Sequence, residues 1–446
     1  MKYLDVDTLY AIYRQHPKVV VDSRKVTPGC IFAALRGLHH DGHEFAEQAL
    51  KAGAAYALID NPLYHRGAQY LLVRHSVLEA LQALARRHRQ AFTIPVLAIT
   101  GSNGKTTTKE LCHAVLQQAW RTHATPGNWN NHIGLPLTIL QMPRDTQMAV
   151  IEMGASGPGE IAFLCQIAQP THGLVTNVGA AHLEGFGDLQ GVIRTKKELY
   201  DFLAQHHGTA FVNLNEPHVP QMAAHVPKRV YFGDHCDGHQ PCLQGELQQA
   251  HPNVIFKTQL FDGQTQQVHS QLAGPHNYQN LLAAATIGAY FDISPQDIAS
   301  ALAQYQARNQ RSELRQQGPF QILLDAYNAN PVSMRHALNT FAHWQAPIRI
   351  AVLGHMLELG SASAQAHDEL TAYALTLGFD HILLVGAAFK AAAQHYELLW
   401  FATAAAAAQW FAERQWPQGT AVLLKGSRGI ALEQMLDLPP FADTTA

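Results

Sequence analysis

The sequence predicts an α/β protein assembled from several units around parallel sheets, and three observations carry that prediction. The chain has 446 residues, more than one hydrophobic core accommodates, so two or three units are expected. Apolar runs of strand length alternate with stretches of helical periodicity over most of it, as a parallel sheet covered by helices requires. One such run, Val96 to Thr100, passes directly into a glycine turn and a helix in "ITGSNGKTTTKE".

The elements follow in order. In a first unit, residues 1–93, "VVVDSRKVTPGCIFAAL" gives two short strands around a Pro-Gly turn. "EFAEQALKAGAAYALI" gives a helix and a strand, and "VLEALQALARRHRQAF" a helix ending near Pro95. In a second unit, residues 94–310, the phosphate-loop strand is followed by a helix. Leu111, Cys112, Val115, Leu116 and Ala119 recur there at three- and four-residue intervals. The strands "MAVIEMG", "GLVTNVG" and "TAFVNLN" then alternate with helices. In a third unit, residues 311–446, "FQILLDAYN", "RIAVLG", "HILLVG" and "TAVLLKGSR" do the same. They form a Rossmann-like sheet without the glycine fingerprint of a dinucleotide site.

Composition narrows the function classes. Formal net charge is −3, with 15% charged and 47% hydrophobic residues, and no basic block points to nucleic acid. No apolar leader or membrane-length run is present, so a cytoplasmic protein without membrane insertion is expected. Five cysteines without a C-x-x-C pair argue against a disulfide framework. His235, Cys236, His239 and Cys242 cluster in "DHCDGHQPC", but their spacing fits no structural zinc pattern, and a polar surface loop is the favoured reading.

Candidate chemistry gathers at strand ends, beyond which ligands of open α/β sheets lie. A strand, a glycine turn and a helix N-terminus aim backbone N–H groups at an anion, so Gly101, Ser102, Asn103, Gly104, Lys105, Thr106 and Thr107 form a phosphate loop. Lys105 would reach the outer phosphates of a nucleotide and Thr106 would ligate the accompanying Mg²⁺. The full G-x-x-x-x-G-K-[ST] pattern would need glycine at position 99, where Ile99 stands. Glu152 ends its strand and could hold Mg²⁺ directly. His182, just past "GLVTNVG", could ligate a second ion, orient a carboxylate, or be an ordinary hydrogen-bonded histidine. Lys196 or Lys197 is read as opening a helix, where the dipole disfavours a cation unless its charge is altered.

At this point the motifs carry a resemblance. "ITGSNGKTTTKE", "GNWNNHIGLPLT", "VIEMGASGPGEI", "TNVGAAHLEGFG", "GPHNYQNLLAAA", "DAYNANPVSM", "VLGHMLELG" and "LLKGSRG" occur in the order seen in Mur ligases, and essentially the whole chain resembles that family. The resemblance implies a three-domain architecture: an N-terminal domain for a UDP-linked substrate, a central P-loop ATPase, and a C-terminal Rossmann-like domain that closes over the site. It implies joining of D-alanyl-D-alanine to UDP-N-acetylmuramoyl-tripeptide, with ATP split to ADP and phosphate; an acyl-phosphate intermediate, two Mg²⁺ ions and a monomer are expected. Lys105 and Thr106 match the phosphate and Mg²⁺ contacts, Glu152 and His182 the metal positions, and Lys196 the lysine carboxylated at its Nζ in related ligases. Asn277 and Asn280 resemble contacts to the nucleotide base, and Asn128 and Asn131 lie in a motif close to the central site. Asp22, Ser23 and Arg24 resemble the UDP-substrate region. Asp325, Tyr327, Asn328 and Asn330 match an element that faces the nucleotide on closure, and Lys425 and Arg428 match the terminal motif. His355 departs from the family, which commonly has aspartate there, leaving that loop's role open. The rivals are a ligase of the same mechanism with a different amine, including the folylpolyglutamate type, and a nucleotide-binding protein without catalysis.

Overall fold

A computed structural model of the chain describes residues 3–37, 40–179, 183–261, 263–307 and 310–442. Three sheets organise it. The first has four parallel strands, Val19–Val20, Ile31–Ala33, Tyr56–Ile59 and Tyr70–Leu72, in sequence order. The helix Val77–Arg89 that leaves it starts on Ser76, whose hydroxyl accepts the Glu79 N–H at 3.1 Å. It ends in Arg86, Arg87 and Arg89, cations that suit a helix C-terminus.

The second sheet has nine strands. The strand Val96–Thr100, wholly buried, lies between Met148–Glu152 and His172–Val175, all three parallel. The expected parallel core is present and continues through Thr209–Asn213 and Lys228–Gly233. Beyond Cys242–Gln249 the sheet turns antiparallel, with Ile255–Gln259 and Thr265–His269. These outer strands are rich in Gln and alternate buried with exposed positions, so one face meets water and the apolar signal is weak. The helix Lys105–Leu116 buries Leu111, Cys112, Val115 and Leu116 as its spacing predicts. Ala119 is a correction, since the helix has ended before it and it is exposed.

The third sheet has six strands in the order Glu313–Gln317, Phe320–Asp325, Thr420–Lys425, Arg349–Gly354, His381–Val385, Leu399–Phe401. All pair in parallel except the first, an antiparallel edge. Helices cover both faces, each with its own apolar cluster.

The cysteine reading needs one correction. Cys236 and Cys242 are disulfide-bonded, closing a tight loop between two strands, while Cys30, Cys112 and Cys165 are free and buried. The bridge uses both thiols of the "DHCDGHQPC" cluster, and among the described residues no group of three or more metal-ligating side chains gathers.

Candidate active site

The loop after Val96–Thr100 is shaped by its glycines. Gly101 has φ +148°, and a Cβ there would lie 2.0 Å from Thr176 Oγ1. Gly104 has φ +77°, and a Cβ there would lie 2.6 Å from Asn280 Oδ1, so both positions exclude a side chain. The first intrahelical bond runs from Thr108 N–H to Gly104 O at 2.8 Å, which leaves the N–H groups from Gly104 to Thr107 without intrahelical acceptors. The N–H groups of Ser102 and Asn103 are already used, donated to Asn177 O and Asn177 Oδ1.

The loop opens on a cavity of about 690 Å³ between the second and third sheets. Ser102 to Thr107, Asn128, Asn131 and Glu152 line it from the central unit, joined by Asn277 and Asn280. Asp325, Tyr327, Asn328, Asn330 and Lys425 line it from the other side. Thus residues far apart in sequence converge on one space. Asp22, Ser23 and Arg24 do not line it; they form an exposed turn in which Arg24 pairs with Asp22 at 2.9 Å. Hydrogen bonds from Arg24 hold the Asp22 carboxyl down at about 2.

Lys105 lies across its own loop, donating from Nζ to Gly101 O at 2.7 Å and Ser102 O at 3.0 Å. Burial pushes its ammonium down to about 8, Glu152 opposing and Arg311 reinforcing the shift. Glu152 is buried, and its Oε1 accepts from Asn130 Nδ2 at 2.7 Å. Its Oε2 has no hydrogen-bond partner among the described residues; the nearest cation is Lys109 Nζ at 3.9 Å. That shielded oxygen, close to the loop that ends in Thr106, fits a divalent cation.

Lys196 corrects the sequence reading. The helix begins at Leu189 on the Asp188 cap, so Lys196 stands in its interior and is only 2% exposed. What is unusual about it is burial. Desolvation, with Lys105 adding to it and Glu198 and Glu160 opposing, pushes its ammonium down to about 7. Lys197 faces out and pairs with Asp201. His182 lies outside the described residues.

The asparagines divide by role. Asn280 Oδ1 accepts from Thr108 Oγ1 at 3.1 Å, and its Nδ2 donates to Asn277 Oδ1 at 3.1 Å. This pair supports the loop from below. Asn131 Oδ1 accepts the N–H groups of Ile133 and Gly134, shaping the start of the next helix. Asp325 Oδ2 lies 3.0 Å from Lys425 Nζ, which also donates to Asn328 O at 2.6 Å. Arg428 lies over the Tyr327 ring with its guanidinium 5.5 Å from the centroid. His355 does not line the cavity. It is pressed against Gly386, where a Cβ would lie 2.2 Å from His355 Nδ1, and burial lowers its pKa.

Sequence reasoning missed several residues. Arg311 lines the cavity and lies over the Tyr327 ring at 3.8 Å. Asn130 and Asn177 sit inside quoted motifs, and a demand for a partner to Glu152 and to the loop N–H groups would have found them. Glu216 lines the cavity with its carboxyl raised to about 7 by burial, opposed by N–H groups of Val178 and His218; nothing in its sequence context marks it.

A glycine loop at a helix N-terminus, facing a second α/β unit across a polar cavity, defines a phosphate-binding site of the kind nucleotide-using enzymes build between two units. Family models place it further: "Mur ligase family, catalytic domain" matches residues 18–89, "Mur ligase middle domain" residues 99–288, and "Mur ligase, glutamate ligase domain" residues 310–428. The chain belongs to the Mur ligase family. Within it, the UDP-N-acetylmuramoyl-tripeptide–D-alanyl-D-alanine ligase of Bacillus subtilis is 35% identical over 428 residues, 94% of this chain and 92% of that one. The ligase of the same name from Escherichia coli is 34% identical over 431 residues, with the same coverage. The crystal structure of MurF from Acinetobacter baumannii superposes with a TM-score of 0.83 at 32% identity, covering 94% of this chain and 92% of that one. That of MurF from Thermotoga maritima in complex with ADP gives 0.80 at 28% identity, covering 95% and 97%.

Proposed function

We propose that this enzyme uses ATP to join D-alanyl-D-alanine to UDP-N-acetylmuramoyl-tripeptide, a step in making the peptidoglycan precursor. The observation that carries the reading is the cavity: the phosphate loop and Glu152 face Asp325, Asn328 and Lys425 of another unit across it. The near full-length likeness to ligases of that name supports the choice of substrates.

The chemistry follows from the reactants. A carboxylate is a poor electrophile, and oxide a poor leaving group. Transfer of the γ-phosphoryl group of ATP to the peptide carboxylate makes an acyl phosphate, which the free amine of the dipeptide attacks; phosphate then leaves. The helix N-terminus and Lys105 bind and orient the phosphates. Glu152 and Thr106, with His182, would hold two Mg²⁺ ions, which would offset charge on the phosphates when bound. Asn277, Asn280, Asp325 and Asn328 border the nucleotide. Asn128, Asn131, Tyr327 and Asn330 border the reacting substrate. Asp22, Ser23 and Arg24 serve the UDP end, at a distance from the chemistry.

Lys196 is suited to carboxylation. An amine with its pKa near 7 is largely neutral slightly above that pH, and the neutral amine is the form that adds CO₂ with loss of a proton. The resulting carbamate is an anion near Lys105, and it would replace a buried cation by a paired anion. Closure of residues 311–446 over 94–310 keeps water from the acyl phosphate, while residues 1–93 hold the nucleotide-sugar. The protein acts as a cytoplasmic monomer on small molecules, not on nucleic acid; no helix among the described residues is long and apolar enough to cross a membrane.

The test is phosphate release with ATP, UDP-precursors varied at the third residue, and a panel of amino acids and dipeptides. Release dependent on D-alanyl-D-alanine supports the assignment, and release with a different amine only would redirect it to another ligase of the family. Lys105→Ala abolishes turnover with an unchanged far-UV spectrum; retained turnover removes the role given to Lys105.

A further inference from the structure

The C-terminal unit touches the phosphate loop through a pair of carboxamides: Asn330 Nδ2 donates to Asn103 Oδ1 at 2.8 Å. The orientation of each amide is dictated by its other partners. Asn330 caps the helix Pro331–Ala342, its Oδ1 accepting the Ser333 N–H at 2.8 Å while Ser333 Oγ accepts the Asn330 N–H at 3.0 Å. A backbone N–H only donates, so the oxygen of Asn330 faces the helix and its NH₂ faces Asn103. Asn103 must answer with its own oxygen, which turns its NH₂ the other way.

The backbone of Asn103 is held independently. Its N–H donates to Asn177 Oδ1 at 2.9 Å, and its carbonyl accepts from Thr176 Oγ1 at 2.7 Å and Asn177 Nδ2 at 3.0 Å. Only the side-chain torsions remain to be set, and Asn330 sets them. Because the N–H groups of Ser102 and Asn103 are spent on Asn177, this end of the loop has the Asn103 NH₂ as its replacement donor, on a residue that lines the cavity.

We propose that Asn330 is a positioning residue: docking of the C-terminal unit fixes the Asn103 carboxamide so that its NH₂, and not its oxygen, faces the phosphates of the bound nucleotide. The inference rests on the ligase reading above. With the unit swung away, the Asn103 amide turns freely, and its oxygen facing a triphosphate is repulsive. The loop therefore completes its donor set only when the C-terminal unit is in place, which couples phosphoryl transfer to closure and limits ATP loss to water.

Two variants separate positioning from helix capping. Asn330→Asp keeps an oxygen for the Ser333 N–H and is an equally good cap, but it offers Asn103 a second oxygen and forces that amide to turn over. Asn330→Ser keeps a cap yet is too short to reach Asn103, leaving the amide free. We expect kcat to fall about tenfold or more in Asn330→Asp, the loss of a charge-assisted donor in the transition state, and less in Asn330→Ser. Tm stays near the wild-type value in both, because both keep a helix cap. In an Asn103→Ala background the Asp substitution adds nothing. The proposal is overturned by Asn330→Asp turning over within about twofold of wild type, by its effect persisting without Asn103, or by equal losses in both variants with a lowered Tm. Failure of the ligase reading looks different: the wild-type protein itself would release no phosphate in response to the dipeptide.

Discussion

The seam between the first unit and the central one, and the seam between the central unit and the last, are built from different materials. Across the first, one apolar cluster runs without a break from Leu9, Tyr13, Leu81 and Leu84 to Leu135, Ile139, Ile161 and Leu164. Arg89 ties it further, donating to Ala168 O, Phe92 O and Gln169 O at 2.8, 2.8 and 3.1 Å. Across the second, no described apolar cluster is shared: those of the third sheet draw on residues from Phe320 onward. The contacts there include Asn330 with Asn103, His276 with His336 at 5.3 Å and His251 with His343 stacked at 4.3 Å. His251 Nδ1, His276 Nδ1 and Thr340 Oγ1 are shielded without a hydrogen-bond partner among the described residues. Burying apolar surface is lost outright on separation, whereas water replaces polar contacts at small net cost. The first joint is therefore part of a core, and the second is a polar contact between separately cored units.

Breaking the first joint has the largest effect. Leu81→Ala removes a fully buried side chain and lowers stability by about 2–5 kcal/mol, and equilibrium denaturation should show the first and central units unfolding together. Separate transitions would deny them a common core. Arg89→Met leaves the three carbonyls without their shared donor and costs about 1–3 kcal/mol in the same measurement.

The second joint should respond to acid before the fold does. Burial, with His336, Lys425 and His251 reinforcing it and Asp325 opposing, pushes His276 down to about 4 from its ordinary 6.5. Separating the units restores the ordinary value, so above pH 6.5 His276 is neutral in both forms and the seam does not depend on it. Between pH 6.5 and 4 the separated form binds the extra proton, and closure weakens as pH falls. Small-angle scattering between pH 7.5 and 5 should register expansion while the far-UV spectrum is unchanged; a constant radius down to global unfolding would count against an openable seam. The smallest effect is expected at His355, which lies off the cavity: His355→Gln should alter kcat by no more than about threefold, the range of a contact remote from the chemistry.

Much of this architecture is legible locally because it rests on local chemistry. The buried strand Val96–Thr100, the glycines of the loop and the helix after it are each dictated by neighbours in sequence, and they stand where the periodicity puts them. Lys196 was found by its motif, but for the wrong local reason: the helix starts a full two turns earlier, at Leu189, and the Asp188 cap that marks this is a better signal than the pair of lysines. The antiparallel strands from Ile255 to His269 were missed because a half-exposed Gln-rich strand alternates too weakly to stand out. The disulfide escaped because bringing Cys236 onto Cys242 depends on the pairing of the flanking strands, Tyr231 with Cys242.

The residues alone thus determined the strands and helices of the parallel cores, the glycine turn and the family, since each depends on periodicity, backbone sterics or an ordered set of motifs. Tertiary structure decided what surrounds each group: that Lys196 is buried enough to lose its proton near neutrality, that one Glu152 oxygen has no partner among the described residues, and that Asn330 meets Asn103 across 227 positions of chain. Desolvation and long-range pairing depend on which surfaces the fold brings together, and no short window of sequence contains them.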